Sequence, residues 1–163
     1  MMRLGIFVAI LGLISCGIYS PYGASTAGAE TFSVAAFEPI DPLASASVAL
    51  TLAEELRDRI QRQTTLAWRE SGGDCHFEAN IVGYKVSPVN VQGDETAATN
   101  RLTVTLEVNY SNAAAPDQDF TRTFSRFADY PSSTDLFSVE EDLVLEIADQ
   151  ITQDIFNASL GNW

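Results

Sequence analysis

"RLTVTLEVNY" (Arg101–Tyr110) alternates without a fault: Leu102, Val104, Leu106, Val108 and Tyr110 fall on one side, Arg101, Thr103, Thr105, Glu107 and Asn109 on the other. A period of two predicts a β-strand with one face in a core and the other in water. A sheet made of such strands needs cover on its apolar face. The neighbouring sequence has to supply that cover.

Working outward, "SGGD" (Ser71–Asp74) reads as a turn and "CHFEANIVGYKVSP" (Cys75–Pro88) as a strand, with Phe77, Ala79 and Ile81 opposite His76, Glu78 and Asn80. From Val82 the second side turns apolar as well (Val82, Tyr84, Val86), so partial cover on both sides is expected there. "VNVQGDETAAT" (Val89–Thr99) reads as a loop. "NAAAPDQ" (Asn112–Gln118) reads as a turn before a further strand, "DFTRTFSRFADY" (Asp119–Tyr130). Near the start of the folded region "TFSVAAFEP" (Thr31–Pro39) alternates Phe32, Val34 and Ala36 and predicts a strand stopped by proline.

Two segments carry the helical period. "SVALTLAEELRDRIQRQT" (Ser47–Thr64) sets Ala49, Leu52, Ala53, Leu56 and Ile60 on one face, with Arg57, Arg59 and Arg62 pointing elsewhere as its solvated side. "SVEEDLVLEIADQITQDIF" (Ser138–Phe156) opens on Ser138 and Glu141, the spacing of a capping box, and repeats Leu143, Ile147 and Ile151. The order is therefore β-α-β-β-β-α. A helix between two strands implies a parallel pair, and short turns imply antiparallel pairs. The fold class is α/β in the α+β sense: a two-layer sandwich, both helices on one face of a four-stranded mixed sheet.

The N-terminus reads differently. After Arg3, "LGIFVAILGLI" (Leu4–Ile14) is apolar without a break, a charged start and short greasy run of the signal-peptide kind. Its 11 residues rise about 16 Å as a helix, short of a hydrocarbon core of about 30 Å. The run ends Leu13-Ile14-Ser15-Cys16, which resembles the lipobox of bacterial lipoproteins. That resemblance implies cleavage before Cys16, a diacylglycerol on its sulfur and an acyl chain on its new amino group. A plain signal with a coincidental cysteine is the alternative. Residues 1–15 are then signal peptide, 16–30 a flexible Gly/Ala/Ser tether and 31–163 one domain. Gly17 after the cysteine suggests the outer membrane.

Composition narrows the partners. There are 22 acidic residues against 9 basic ones, a net charge of −13, and Lys85 is the only lysine. Such a surface repels nucleic acid. It suits either hydration in salty surroundings or an acidic binding surface. With Cys16 spoken for, Cys75 has no partner for a disulfide framework and reads as a small buried side chain.

Taken together, "CGIYS" and its tether, "LRDRIQRQTTL", "GDCHFEANIVGY", "NRLTVTLEVNY", "FSRFADY" and the tail after "DIFNASL" resemble the lipopolysaccharide-assembly lipoprotein family, LptE. The resemblance implies two helices on a four-stranded sheet. It also implies an outer-membrane, periplasm-facing location and a barrel partner, LptD, for which the protein serves as plug and folding aid in lipopolysaccharide delivery. Cys16 is the one residue it transfers.

The remaining chemistry is thin. His76 is the sole histidine, and its neighbour Cys75 projects to the opposite strand face, the wrong geometry for nucleophile and base. One histidine and one cysteine fall short of a metal site. No phosphate loop, nucleophile elbow or zinc motif is present. The expectation is a non-enzyme without cofactors beyond the lipid on Cys16. Arg122 and Arg126, four apart on one strand, and Arg101 on its neighbour are candidates for lipopolysaccharide phosphate, or else ordinary surface ion pairs with Asp119, Glu107 or Asp129. The rival functions are an accessory of another envelope complex and a lipid-anchored amphiphile-binding module.

Overall fold

The computed structural model describes residues 24–89 and 98–161. In chain order they form β1 (Thr31–Val34), β2 (Glu38–Pro39), α1 (Ala46–Gln63), β3 (Ala67–Trp68), β4 (Cys75–Val89), β5 (Thr99–Asn112), a 3-10 turn (Pro116–Gln118), β6 (Phe120–Pro131) and α2 (Leu136–Ser159). The sheet runs β3-β1-β4-β5-β6, with β2 also pairing β4. β1, β2 and β3 pair in parallel with their neighbours. β4, β5 and β6 are antiparallel. Both helices lie on one face, as the single apolar stripe of each demands. Phe32, Phe77, Leu106 and Val108 from the sheet meet Leu52, Leu56, Ile147 and Ile151 in a fully buried core.

The class and the layering agree with expectation, and the local departures have physical causes. The expected strand over 31–39 is two pieces. Val34 pairs Phe77 and Glu38 pairs Asn80, so four steps on one side match three on the other. The extra residue kinks the chain, Phe37 turns into the core, and Ala36 is exposed rather than inward. Among the described residues, two-residue β2 and β3 bring the count to six strands instead of four.

A second irregularity explains the apolar second side after Val82. Ile81 pairs Leu106 and Gly83 pairs Thr105, leaving Val82 as a bulge. The inward set shifts from odd numbers (Phe77, Ala79, Ile81) to even ones, and Tyr84 is buried. The pattern reports a phase change, with no double cover involved.

Arg59 does not point to solvent. It is 6% exposed because α1 packs against α2 as well as the sheet. Its Nε donates to Thr152 Oγ1 (2.9 Å), and Nη2 donates to the Asp149 carbonyl (2.9 Å) and pairs with the Asp149 carboxylate. The cap of α2 also moves. Asp135 is the N-cap, its carboxylate accepting from Phe137 N at 2.8 Å, and Ser138 lies inside the first turn. Arg59 reaches Asp149 and Thr152, while Val48 shares a groove with Phe137 and Val144, so the helices run parallel with both N-termini at one end. At the opposite end Ala24 bridges Gly161, and Ser25 N donates to Leu160 O at 2.8 Å. The chain enters the domain there.

Candidate functional site

Among the described residues no helix covers the second face of the sheet. Alternation places Thr103, Thr105, Glu107 and Asn109 of β5 on it, opposite Phe127, Ser125, Thr123 and Thr121 of β6. These rows bond to each other across the strands. Thr105 and Ser125 hydroxyls are 3.0 Å apart, and Thr121 Oγ1 donates to Asn109 Oδ1 at 3.5 Å. At one end Arg101 donates twice to Asp129 (2.7 and 2.8 Å) with its guanidinium 3.5 Å from the Phe127 ring centre. Those bonds hold the Asp129 carboxyl below its ordinary range and raise Arg101 further.

Where β1 breaks, the same face sinks into a depression of about 380 Å³. It is lined by Ala35, Ala36, Asn80 and Asn109 and by the carboxylates of Glu38, Glu78 and Glu107. Beside it Ser33 Oγ lies 2.8 Å from His76 Nδ1, and His76 Nε2 lies 3.2 Å from Glu78 Oε1. The distances suggest a triad, but Ser33 is fully buried and its Oγ already accepts Gly73 N–H at 3.0 Å. A hydroxyl without access to substrate is a tie between β1 and β4 rather than a nucleophile. Cys75 is also fully buried, 3.5 Å from Tyr110 Oη, and burial pushes its thiol up. Among the described residues no group of His, Cys, Asp or Glu is arranged to hold a metal ion. None of the described helices is long and apolar enough to cross a membrane.

The three candidate arginines do not converge. Arg101 is on the uncovered face. Arg122 and Arg126 share a side, as their spacing requires, but it is the helix side: Arg126 donates twice to Asp154 of α2 (2.6 and 2.8 Å), which raises its pKa. Arg122 lies 4.8 Å from the Phe120 ring centre and has no carboxylate partner among the described residues. Cys16 falls outside the described residues.

The lipopolysaccharide-assembly family model, LptE, matches residues 29–159. The chain belongs to the LptE family. The match takes in both helices and every strand of the sheet. A search of curated protein sequences found no match. Among solved structures, the LptE-family domain is similar to a minor lipoprotein from Acinetobacter baumannii (TM-score 0.51, 13% identity, 81% of this chain and 96% of that one). It is also similar to a putative lipoprotein from Caulobacter crescentus (TM-score 0.51, 12% identity, 82% and 92%). At such identities the likeness shows the fold alone, two helices on one side of a mixed sheet.

Sequence reasoning found the polar strand face of this LptE-family protein but missed the depression. The depression depends on the extra residue between Val34 and Glu38, which leaves no mark in a run of small and apolar side chains. It likewise missed the Ser33–His76 tie, which joins residues 43 positions apart.

Proposed function

We infer that this chain is an outer-membrane lipoprotein, held by acyl chains on Cys16, that binds the lipopolysaccharide-export β-barrel as a non-enzymatic plug and assembly factor. The observation that carries this reading is the family match over residues 29–159, nearly the whole folded domain. Physical features support it. Each buried methylene contributes about 0.8 kcal/mol, so two or three acyl chains hold firmly where one is marginal. The sheet face of Thr, Ser and Asn side chains suits a barrel interior, which is polar and hydrogen-bonding. A rigid two-layer wedge fills space and positions partners without chemistry of its own.

Direct contact with lipopolysaccharide phosphate is a separable part of this reading. Arg101 and Arg126 would have to release Asp129 and Asp154, so the contact falls first to Arg122. Unchanged lipopolysaccharide binding by purified protein carrying Arg122→Ala and Arg126→Ala rejects it.

Solubilising native membranes and purifying the intact protein tests the main reading. A stoichiometric large β-barrel, together with a mass showing acyl groups on an N-terminal Cys16, is the expected result. A peptidoglycan enzyme in place of the barrel, or an unmodified N-terminus on a protein free in solution, would count against it.

A further inference from the structure

The two edges of the sheet are built differently. On one side β3 is two residues long and pairs only Thr31 and Phe32. Beyond it β1 breaks, and β2 ends on Pro39, which has no amide hydrogen. Short strands, breaks and prolines are how folded proteins stop an edge from pairing with another chain.

The other edge is long and unbroken. β6 runs 12 residues, about 40 Å at the usual rise per residue. Its register with β5 is unbroken from Tyr110↔Phe120 to Thr99↔Pro131, and among the described residues it pairs with no other strand. Its one proline is the terminal Pro131, and it contains no lysine.

We propose that β6 is a docking edge: a strand of the partner β-barrel polypeptide adds to it through backbone hydrogen bonds and sets a carboxylate against Arg122. The proposal rests on the barrel reading above. A row of outward N–H and C=O groups at strand spacing is matched by water or by another extended backbone, and an extended backbone repeats that spacing along its length. A second copy of this chain fits poorly. Two-fold pairing of β6 with itself sets its helix-side row against itself, and that row holds Arg122 and Arg126 with no acidic residue. Registers centred on 122, 124 or 126 place arginine directly opposite arginine, which destabilises a strand pair. Charge instead favours a foreign strand bearing an acid. Arg126 already has Asp154, whereas Arg122 rests on Phe120 and lacks a carboxylate among the described residues.

Successive amides along β6 point alternately toward β5 and outward. Of Arg122→Pro and Thr123→Pro, one therefore removes an inward bond and melts early. The other removes an outward amide and keeps the wild-type melting temperature, which makes it the edge-blocked variant. The full acylated chain, solubilised from its own membranes, should bring down the barrel. The edge-blocked variant should bring down at least about tenfold less, the effect of losing a principal contact. Equal recovery with an unchanged melting temperature overturns the proposal, as does recovery of a homodimer that the same variant dissolves. If the wild type brings down no barrel, the partner reading itself falls and this inference with it. Arg122→Ala assigns the side chain: lost barrel with retained lipopolysaccharide binding supports the carboxylate, and the reverse pattern overturns it.

Discussion

At the scale of single residues the most demanding position is Gly73. A Cβ there would sit 2.4 Å from the Phe32 carbonyl carbon and 2.6 Å from Ser33 N. Backbone cannot move aside as a side-chain tip can, so Gly73→Ala should abolish folding or lower the melting temperature sharply, read by circular dichroism. Its neighbour Asp74 gathers the start of the domain: one carboxylate oxygen accepts from Glu30 N, Thr31 N and Thr31 Oγ1 at 2.8–3.0 Å. Those bonds, led by the Glu30 amide, hold the carboxyl below its ordinary 3.8. A carboxyl lowered by folding stabilises the fold above its unfolded value, and that contribution is lost as pH falls through the folded value. The melting-temperature gap between wild type and Asp74→Asn should therefore be full well above 3.8 and close as the pH falls below that value. A gap that stays constant would mean the carboxylate charge plays no part. Neither residue is marked in the sequence beyond "SGGD" as a turn, because each acts on a strand some 40 positions away.

At the scale of elements, the alternation of β5 and the four-residue repeats of α2 were legible because periodicity is a local property of the chain. Leu143, Ile147 and Ile151 are buried as their spacing requires. What depends on a second element was not legible. Arg59 sits on the polar side of α1 in isolation and becomes interior when α2 lies beside it, where it bonds Thr152, Gln153 and Asp149. Arg59→Ala should then cost about 1–3 kcal/mol through lost charged hydrogen bonds. Arg57→Ala, whose pairs with Glu54 and Asp58 are long and exposed, should change stability by less than about 0.5 kcal/mol. Denaturant titration of both variants separates them. The start of α2 gives a similar contrast. Asp135→Ala should cost about 1 kcal/mol as a lost N-cap. Ser138→Ala, at the position the sequence pattern favoured, should cost about half of that or less. The reverse ranking would restore the capping box over the observed cap.

For the whole molecule the question is what the acidic excess does. The layering follows from counting apolar faces, one per helix and one per strand. The charge follows no such rule, since no single strand or helix accounts for 22 acids against 9 bases. Two effects of salt compete. The exposed pairs Arg101–Asp129 and Arg126–Asp154 are worth at most about 1 kcal/mol each and weaken when screened. Against them stands the mutual repulsion of an uncompensated −13, acting over a Debye length that shrinks from about 30 Å at about 0.01 M salt to about 10 Å at about 0.1 M. Repulsion among many like charges reaches much further than contact pairs do, so screening should relieve more strain than it removes. The melting temperature should therefore rise as sodium chloride is raised through that range, and differential scanning calorimetry on the purified protein measures it directly. A fall instead would mean that the local arginine pairs outweigh the general repulsion.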